Sequence, residues 1–333
     1  MTSPPFGGRI LALVCLSVLT LSSAVEAQPA RELQQRMLAE GQAANALSRA
    51  NFADMEQLAA DFRDGRRRTE SGAWLYNSVF FNFTSFSEAN FLARERILKQ
   101  WIAEKPRSSA AHAAYATLLY NHAWLMRGDG YAHQVTEAGR EGFVAFLEKS
   151  QDVLEDAREF SQDDPQWHLM MLRVARSQGW PRPDYYALLK AAIERHPLYT
   201  EIYFEASEYA KPKWGGSKME AEELFSLAVE ATRKTEMQSY YARMFLDRRN
   251  DLHSGSNVMD YLPQHWTRLK EAFNDLVQRY PTAWNRNGYA SFACMAGDKE
   301  TAREQFSAVG EEITREIWSR AVSPDACRRW ATP

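Results

Sequence analysis

The sequence lacks an excess of basic residues, and this absence argues against the common kinds of nucleic-acid-binding protein. Its 333 residues include 40 lysines and arginines against 43 aspartates and glutamates, which gives a formal net charge of −3. Proteins that bind nucleic acid through phosphate contacts carry a clear positive excess. The one dense basic run is GRRRT at residues 65–69, and short runs of this kind usually form solvated loops. We therefore expect no nucleic-acid partner.

Patterns for metal binding and catalysis are also scarce. The 7 histidines form neither an H-x-x-x-H nor an H-E-x-x-H pattern, so we predict no metal site and no cofactor. The Gly-Leu-Met-Gln segment of soluble lytic transglycosylases, which are helical enzymes that cleave cell-wall glycan, is missing. We assign no catalytic residue. A protein without enzymatic activity is favoured, and an enzyme stays the alternative.

Long apolar runs are absent, and the one short run lies near the N-terminus. Ile10–Leu21 follows Arg9 and precedes small residues that end at Ala27, which is the layout of a secretory signal peptide. The run is shorter than the roughly 20 apolar residues that a membrane-spanning helix needs. We predict a signal peptide at residues 1–27, a mature chain of 333 − 27 = 306 residues without a transmembrane segment, and export to the periplasm or the extracellular space.

Cysteine is rare as well. Of the 3 cysteines, Cys15 lies within the predicted signal peptide, so the mature chain retains Cys294 and Cys327, which are 327 − 294 = 33 positions apart. Export to an oxidising compartment would allow a disulfide between them. The spacing suits two neighbouring helices. A disulfide and two free thiols both stay open, because the geometry decides.

The feature that the sequence does have throughout is helical periodicity. Trp167, Met170, Met171 and Val174 recur at i, i+3, i+4 and i+7, which predicts one buried face of an amphipathic helix. Apolar residues are 45% of the chain, enough for a sizeable core. We predict an all-α fold.

The predicted helices come in pairs. In the last pair, small Ala290 and Ala293 lie on one face of the first helix, Asp298 is a predicted N-cap, and Ala302 and Phe306 follow on the second helix. This arrangement of small residues and one phenylalanine is typical of tetratricopeptide repeats. We therefore predict a right-handed superhelix of degenerate tetratricopeptide-like helical hairpins.

No Pro/Gly/Ser-rich linker divides the mature chain, although it is longer than a typical domain. A stack of repeats explains this length, because each repeat needs only its neighbours for stability. We predict a single helical-repeat domain at residues 28–333.

The segment KPKWGGSK has the look of a phosphate-binding loop, but neither its order nor its context fits one. A phosphate loop requires G-x-x-x-x-G-K-[ST] after a strand, whereas here a helix precedes and the order is Gly-Gly-Ser-Lys. We interpret the segment as a turn in which Gly215 and Gly216 adopt positive φ angles. Ser217 and Glu220 then form a capping box that begins the next helix.

Candidate binding residues come from the tryptophans and from one polar cluster. The chain has 10 tryptophans, spread over its length, which favours packing over a single binding surface. Trp124, Arg127 and Asp129 lie together in HAWLMRGDGYAH, and Trp214 is unexplained by its turn. We take these four as candidate binding residues. For Arg127 the favoured interpretation is structural, namely that it pairs with a carboxylate and orders the glycine-rich turn.

Several segments together resemble a known bacterial family: AWLMRGDGYAHQV, YFEASEYAKPKWGGS and RYPTAWNRNGYASFACMAGDKETA. The chain is similar, over about residues 51–318, to the family listed as domain of unknown function 4034. The resemblance implies an all-helical, tetratricopeptide-like fold. It implies no activity and no site residue.

The sequence favours one functional class and leaves a second open. Stacked helical hairpins form extended surfaces that hold other chains, so we expect an exported scaffold that binds a protein or peptide in the cell envelope. The alternative is an all-α envelope enzyme that acts on cell-wall glycan, which would need a glutamate acting as a general acid in a cleft.

Overall fold

The computed structural model describes residues 31–81, 83, 87–251 and 258–332, and it is all-helical over these residues, as predicted. The predicted signal peptide lies outside them. The described part has no strand, only an isolated bridge between Arg68 and Trp74. Its α-helices are α1 Arg31–Ser48, α2 Phe52–Asp64, α3 Glu88–Glu104, α4 Ser109–Arg127, α5 Glu137–Asp156, α6 Arg158–Ser161, α7 Pro165–Gln178, α8 Arg182–Arg195, α9 Thr200–Tyr209, α10 Lys218–Glu236, α11 Ser239–Asp247, α12 Val258–Arg279, α13 Ala283–Met295, α14 Lys299–Val309 and α15 Pro324–Ala331. Short 3-10 helices are Leu75–Phe80, Ala132–Gln134, Pro212–Trp214 and Arg315–Ile317.

Many of these helices begin at a polar residue whose side chain accepts a hydrogen bond from the first turn. Such N-caps satisfy a backbone N–H that has no partner inside the helix. The predicted cap Asp298 is confirmed, since its carboxylate accepts from the backbone N–H of Thr301 at 3.0 Å. The capped helices start after Asn51, Ser87, Ser108, Thr136, Asp164, Ser217, Thr282, Asp298 and Ser323.

The helices pack largely in consecutive pairs. Contacts join α4 with α5, α7 with α8, α9 with α10, α11 with α12, and α13 with α14. The first helices of successive pairs also touch each other, from α4 to α7, α9 and α11. Other consecutive helices, such as α3 with α4 and α10 with α11, also contact each other, so these contacts do not by themselves define repeats. The right-handed superhelical arrangement of the pairs stays a prediction.

The predicted apolar faces are buried. Trp167, Met170, Met171 and Val174 are all at most 3% exposed, and they form a cluster between α4, α5 and α7. A second, larger cluster runs from α1 to α15 and includes the predicted seam residues Ala290, Ala293, Ala302 and Phe306. Burial of these faces against neighbouring helices is the main source of stability in such a fold.

The segment KPKWGGSK forms the predicted turn, with two corrections. Gly215 has φ +77°, as expected, but Gly216 does not have a positive φ. A Cβ at Gly216 would lie 2.1 Å from the carbonyl oxygen of Ala210, so glycine is required there by close backbone approach. Ser217 accepts from the backbone N–H of Glu220 at 3.2 Å, as predicted.

The second hydrogen bond of the predicted capping box, in which the Glu220 side chain accepts from the backbone N–H of Ser217, is wrong. The Glu220 carboxylate accepts hydrogen bonds from Arg182 and from the Tyr186 hydroxyl, both on α8. It therefore joins two helical pairs instead of closing its own helix end. Both of these hydrogen bonds go to the same oxygen, Oε1.

Residues 66–80, which we call the crossing segment, run across the ends of successive helical pairs. Most of this segment lies outside α-helices, and its hydrogen bonds reach residues far away in sequence. They link Tyr76 to Asp164 at 2.7 Å, Trp74 to the carbonyl of Leu198 at 2.6 Å, Arg68 to Glu236 at 2.8 Å, and the carbonyl of Ser71 to Arg243 at 2.8 Å. The crossing segment thus joins α7, α9, α10 and α11.

One arginine of the basic run belongs to this contact network, so the expectation of a wholly solvated loop is wrong. The Arg68 side chain is only 15% exposed and pairs with Glu236, which is buried. Its guanidinium lies 5.0 Å from the centre of the Trp74 ring. Arg66 and Arg67 are exposed, as a solvated run would be.

Cys294 and Cys327 lie side by side on α13 and α15 in disulfide geometry. Their Cα atoms are 6.0 Å apart, within the range that a disulfide spans without backbone movement. The pair would anchor α15 to α13.

Candidate functional site

A polar cavity of about 170 Å³ lies where the crossing segment meets α1, α9, α11 and α13. Glu201 and Phe204 of α9 are three residues apart, and Arg243 and Asp247 of α11 are four apart, so each pair shares one helix face. We call this space the arginine–carboxylate cavity. It is lined by Arg36, Ser71, Ala73, Thr200, Glu201, Phe204, Arg243, Leu246, Asp247, Arg249, Trp284, Asn285 and Ile317.

Arg243 is a buried arginine fixed at the cavity wall by the crossing segment. Its Nη2 donates to the carbonyl oxygen of Ser71 at 2.8 Å, and Asn285 donates to the same oxygen at 3.2 Å. Burial lowers the pKa of Arg243. Its buried Nε finds no hydrogen-bond partner among the described residues. The guanidinium is therefore held in place but keeps an unused donor.

Arg249 has a similar arrangement. Its Nη1 donates to the carbonyl oxygen of Leu246 at 2.8 Å and its Nη2 to that of Glu316 at 3.2 Å. The Arg249 Nε is buried and lacks a partner within the described part of the chain. Backbone carbonyl oxygens hold the Arg249 guanidinium, and it forms no ion pair with a carboxylate of the described residues.

The third arginine stands beside an aromatic ring. Arg36 on α1 pairs with Glu32 at 2.7 Å, and its guanidinium lies 5.3 Å from the centre of the Trp284 ring. The Glu32 carboxylate also accepts from the Thr69 hydroxyl at 2.8 Å. The Glu32 carboxylate thus anchors α1 to the crossing segment. The Arg36 side chain also lines the cavity.

Glu201 is the second residue of α9 and supplies one of the two cavity carboxylates. Burial raises its pKa to about 7, opposed by a hydrogen bond from its own backbone N–H and by the charges of Arg36, Arg173 and Arg243. Its buried Oε2 has no partner among the described residues. The carboxyl group therefore changes its protonation state near neutral pH.

Asp247 supplies the second carboxylate, at the last residue of α11. The C-terminal end of a helix is an unfavourable place for a negative charge. Asp247 is exposed to solvent and lines the cavity. The protein atoms packed around its carboxyl group raise its pKa, opposed by Lys211, Arg248 and Arg249, and Asp251 adds to the increase.

Three residues that line one cavity thus have a buried polar atom without a partner: Glu201 Oε2, Arg243 Nε and Arg249 Nε. Buried polar atoms in proteins are nearly always hydrogen-bonded, and leaving one unsatisfied costs about 1–3 kcal/mol. Two N–H donors and one carboxylate oxygen would match a ligand that carries both an acceptor and a donor. This combination makes the arginine–carboxylate cavity the candidate site.

A larger cavity, of about 390 Å³, is also lined by the crossing segment, at Arg66 and Trp74, but most of its charges are already paired. Arg63 contacts Asp164 at 3.0 Å, and Arg195 contacts Asp163 at 2.5 Å. Its size alone does not indicate a ligand. Unused polar atoms are the better criterion: one residue that lines the larger cavity, His196, has such an atom, against three residues of the smaller cavity.

Of the candidate binding residues predicted from sequence, Trp214 packs against its own chain. Its ring is half-buried and perpendicular to the ring of Trp124, with 6.2 Å between their centres. The Arg176 guanidinium lies 4.6 Å from the centre of the Trp214 ring and pairs with buried Glu205 at 2.5 Å. Trp214 therefore covers a buried ion pair.

Arg127 orders the glycine-rich turn, as the structural interpretation expected, but through different partners. It donates to the carbonyl oxygens of Gly128 and Gly130, both at 3.1 Å, so the expected pairing with a carboxylate is wrong for the described residues. The Arg127 guanidinium also lies 5.3 Å from the centre of the Trp124 ring. Asp129 is exposed at the same turn. Trp124, Arg127 and Trp214 thus form one cluster, and none of the four predicted residues lines the arginine–carboxylate cavity.

None of the residues that line the cavity was predicted as a site residue from the sequence, although the sequence contains one signal of the site. Arg243 stands inside SYYARMFLD, where every other residue from Ser239 to Leu246 is buried. A charged residue on an otherwise buried helix needs a partner or a function. That criterion would have singled out Arg243 but not its neighbours in space.

Two negative findings concern the described residues only. They contain no group of three or more His, Cys, Asp or Glu placed to hold a metal ion. Their helices include none that is both long and apolar enough to cross a membrane.

Comparison of the chain with protein-family models, with curated proteins and with solved structures gives no match. The resemblance to the family of domain of unknown function 4034 therefore stays a prediction. A function has to be inferred from the cavity and from the way the helices enclose it.

Proposed function

We propose that this chain is a binding protein of the cell envelope that takes a charged group of a peptide or protein into the arginine–carboxylate cavity. The observation that carries the proposal is the set of unpartnered polar atoms on Glu201, Arg243 and Arg249. An unsatisfied buried group is costly to the fold, so its presence at a cavity favours a role in binding. Export follows from the predicted signal peptide and is part of the proposal.

The packing of the helices supports the same class of function. Helical pairs of this kind usually hold another chain along the surface formed by their first helices. Here the crossing segment already makes hydrogen bonds to Asp164 just before α7, to Leu198 just before α9 and to Arg243 of α11. A partner would therefore be recognised at the cavity beside this segment, where unused hydrogen-bonding groups are available.

The proposal is tested with a peptide mixture, such as a tryptic digest of an unrelated protein, passed over the immobilised full mature chain. We expect a subset of peptides to be retained by the native chain and lost with Arg249→Gln. The matched control is Arg67→Gln, because Arg67 is 58% exposed and lies outside the cavity. Circular dichroism shows that each variant is folded. Failure of the native chain to retain any peptide would overturn the proposal.

An envelope enzyme acting on glycan is the second candidate, and one observation favours it. Burial raises the pKa of Glu201 to about 7, which suits a general acid or base. The three arginines oppose it, because they would destabilise the positive charge that develops on a sugar ring during cleavage. Measured release of muropeptides from purified cell walls, abolished by Glu201→Gln, would reverse this preference.

A further inference from the structure

We infer that the arginine–carboxylate cavity binds an α-amino-carboxylate group, in which one carbon atom joins a carboxylate to a nitrogen that carries hydrogen. This inference rests on the proposed function and names the ligand chemistry of the same site. The guanidinium groups of Arg243 and Arg249 take the carboxylate, and Glu201 takes the nitrogen. Such a group occurs in a free amino acid and in the C-terminal residue of a peptide.

The charges around the cavity are the first support for this ligand. Three arginines and two carboxylates line it, so a single positive charge is in excess when both carboxylates are ionised. A simple cation would leave the arginines unsatisfied, and a simple anion would leave the Glu201 oxygen unsatisfied. A ligand with a carboxylate at one end and an N–H donor beside it satisfies both kinds of group at once. Guanidinium groups are also well suited to carboxylate oxygens.

The size of the cavity limits the size of the ligand. Its volume of about 170 Å³ lies below the roughly 300–1,000 Å³ of cavities that hold drug-sized ligands. The cavity therefore suits one small amino-acid residue better than a folded segment. Terminal carboxylates are commonly captured in such small polar sites.

The walls of the cavity combine apolar side chains with the charged ones. Phe204, Leu246 and Ile317 give the cavity an apolar side beside its polar groups. Leu246 and Ile317 are at most 6% exposed, so they form a fixed surface. A small apolar side chain on the α-carbon would contact this surface while the charged groups face the arginines and Glu201. The Nε atoms of both arginines are shielded from solvent, so binding through them requires each side chain to rotate.

Isothermal titration calorimetry of the full mature chain at pH 8 tests the inference with defined probes. Alanine and the dipeptide Ala-Ala carry the whole group, propionate lacks the amine, and alaninamide lacks the carboxylate. We expect alanine, Ala-Ala or both to bind at least tenfold more tightly than propionate and alaninamide. Alanine binding alone identifies the free amino acid as the source, and Ala-Ala binding alone identifies a peptide terminus.

Two variants assign the ends of the ligand. Glu201→Gln should remove the preference over propionate and keep carboxylate binding, whereas Arg249→Gln should weaken binding of the three probes that carry a carboxylate. Melting curves establish that both variants are folded, and Arg67→Gln is the control that should bind like the native chain. Propionate binding as tightly as alanine would overturn the inference.

The failure of this inference can be told apart from that of the proposed function. If none of the four probes binds but the peptide mixture is still retained through Arg249, the ligand chemistry is wrong and the binding function stands. If neither binds, both are wrong.

Discussion

At the scale of single residues, Glu201 is a carboxylate whose ionised form works against the fold. Burial raises its pKa to about 7, although the positive charges of Arg36, Arg173 and Arg243 act in the opposite direction. In the unfolded chain the same carboxyl group titrates near its ordinary pKa of 4.5. Between these two values the folded protein binds a proton that the unfolded chain has lost. Stability therefore falls as the pH rises through this window.

We predict that Glu201→Gln stabilises the protein at pH 8 and leaves its stability nearly unchanged at pH 4.5. The neutral amide has no charge to desolvate, and the gain at pH 8 can reach about 3 kcal/mol. Urea denaturation at both pH values measures this difference. A variant that is less stable than the native chain at pH 8 would show that the carboxylate is structurally required. Stabilisation by removing a polar residue is the signature of a functional site.

For Trp214, in contrast to Glu201, we predict that substitution destabilises the protein. Its ring covers the Arg176 guanidinium and packs on Trp124, so its removal exposes the buried pair between Arg176 and Glu205. We predict that Trp214→Ala lowers the free energy of unfolding by about 2–3 kcal/mol. Trp330→Ala is the control, because that side chain is 40% exposed, and its loss should cost less than about 1 kcal/mol. Equal, small losses in both variants would indicate that Trp214 is available to a partner.

At the scale of elements, the crossing segment positions Arg243 through one glycine. Gly72 has φ +89°, and a Cβ there would lie 2.2 Å from Arg243 Nη2 and 2.8 Å from the Tyr280 ring. A side chain at this position would therefore be strained and would also displace the arginine that donates to the Ser71 carbonyl.

We predict that Gly72→Ala costs more stability than Gly297→Ala. Gly297 has φ +74° but nothing within 4 Å of its Cβ position, so its substitution costs only the backbone strain of about 1–2 kcal/mol. The excess cost at Gly72 measures the steric conflict with Arg243 and Tyr280. Chemical denaturation of both variants gives the comparison. Equal costs would mean that Arg243 moves aside freely and does not depend on the crossing segment.

The helices could be predicted from the sequence, but the crossing segment could not. Helical faces such as Trp167 to Val174 depend on residues three or four positions apart, which the sequence displays directly. The partners of the crossing segment lie much farther away, for example Arg243, which is 172 positions from Ser71. Nothing local in GRRRT indicates that Arg68 pairs with Glu236 and that its neighbours remain solvated.

At the scale of the whole molecule, the candidate site combines residues from nearly the full length of the described chain, from Arg36 to Ile317. Sequence reasoning selected Trp124, Arg127 and Trp214 because they are near each other or unusual in their local context. The structure does bring these three together, in a packing cluster. The arginine–carboxylate cavity depends instead on how α1, α9, α11 and α13 meet, and periodicity within single helices does not reveal those contacts.

Cys294 and Cys327 join α13 to α15. Helix α13 supplies Trp284 and Asn285 to the cavity, so the end of the molecule that the two cysteines hold is also a wall of the candidate site. A disulfide across 33 residues restricts the unfolded chain and should stabilise the fold by about 3–4 kcal/mol. We expect the exported protein to be two hydrogens lighter without reductant than with it by mass spectrometry. Dithiothreitol should then lower its urea midpoint to that of the variant with both cysteines replaced by alanine. Two free thiols in the unreduced protein, or an unchanged midpoint after reduction, would contradict the prediction.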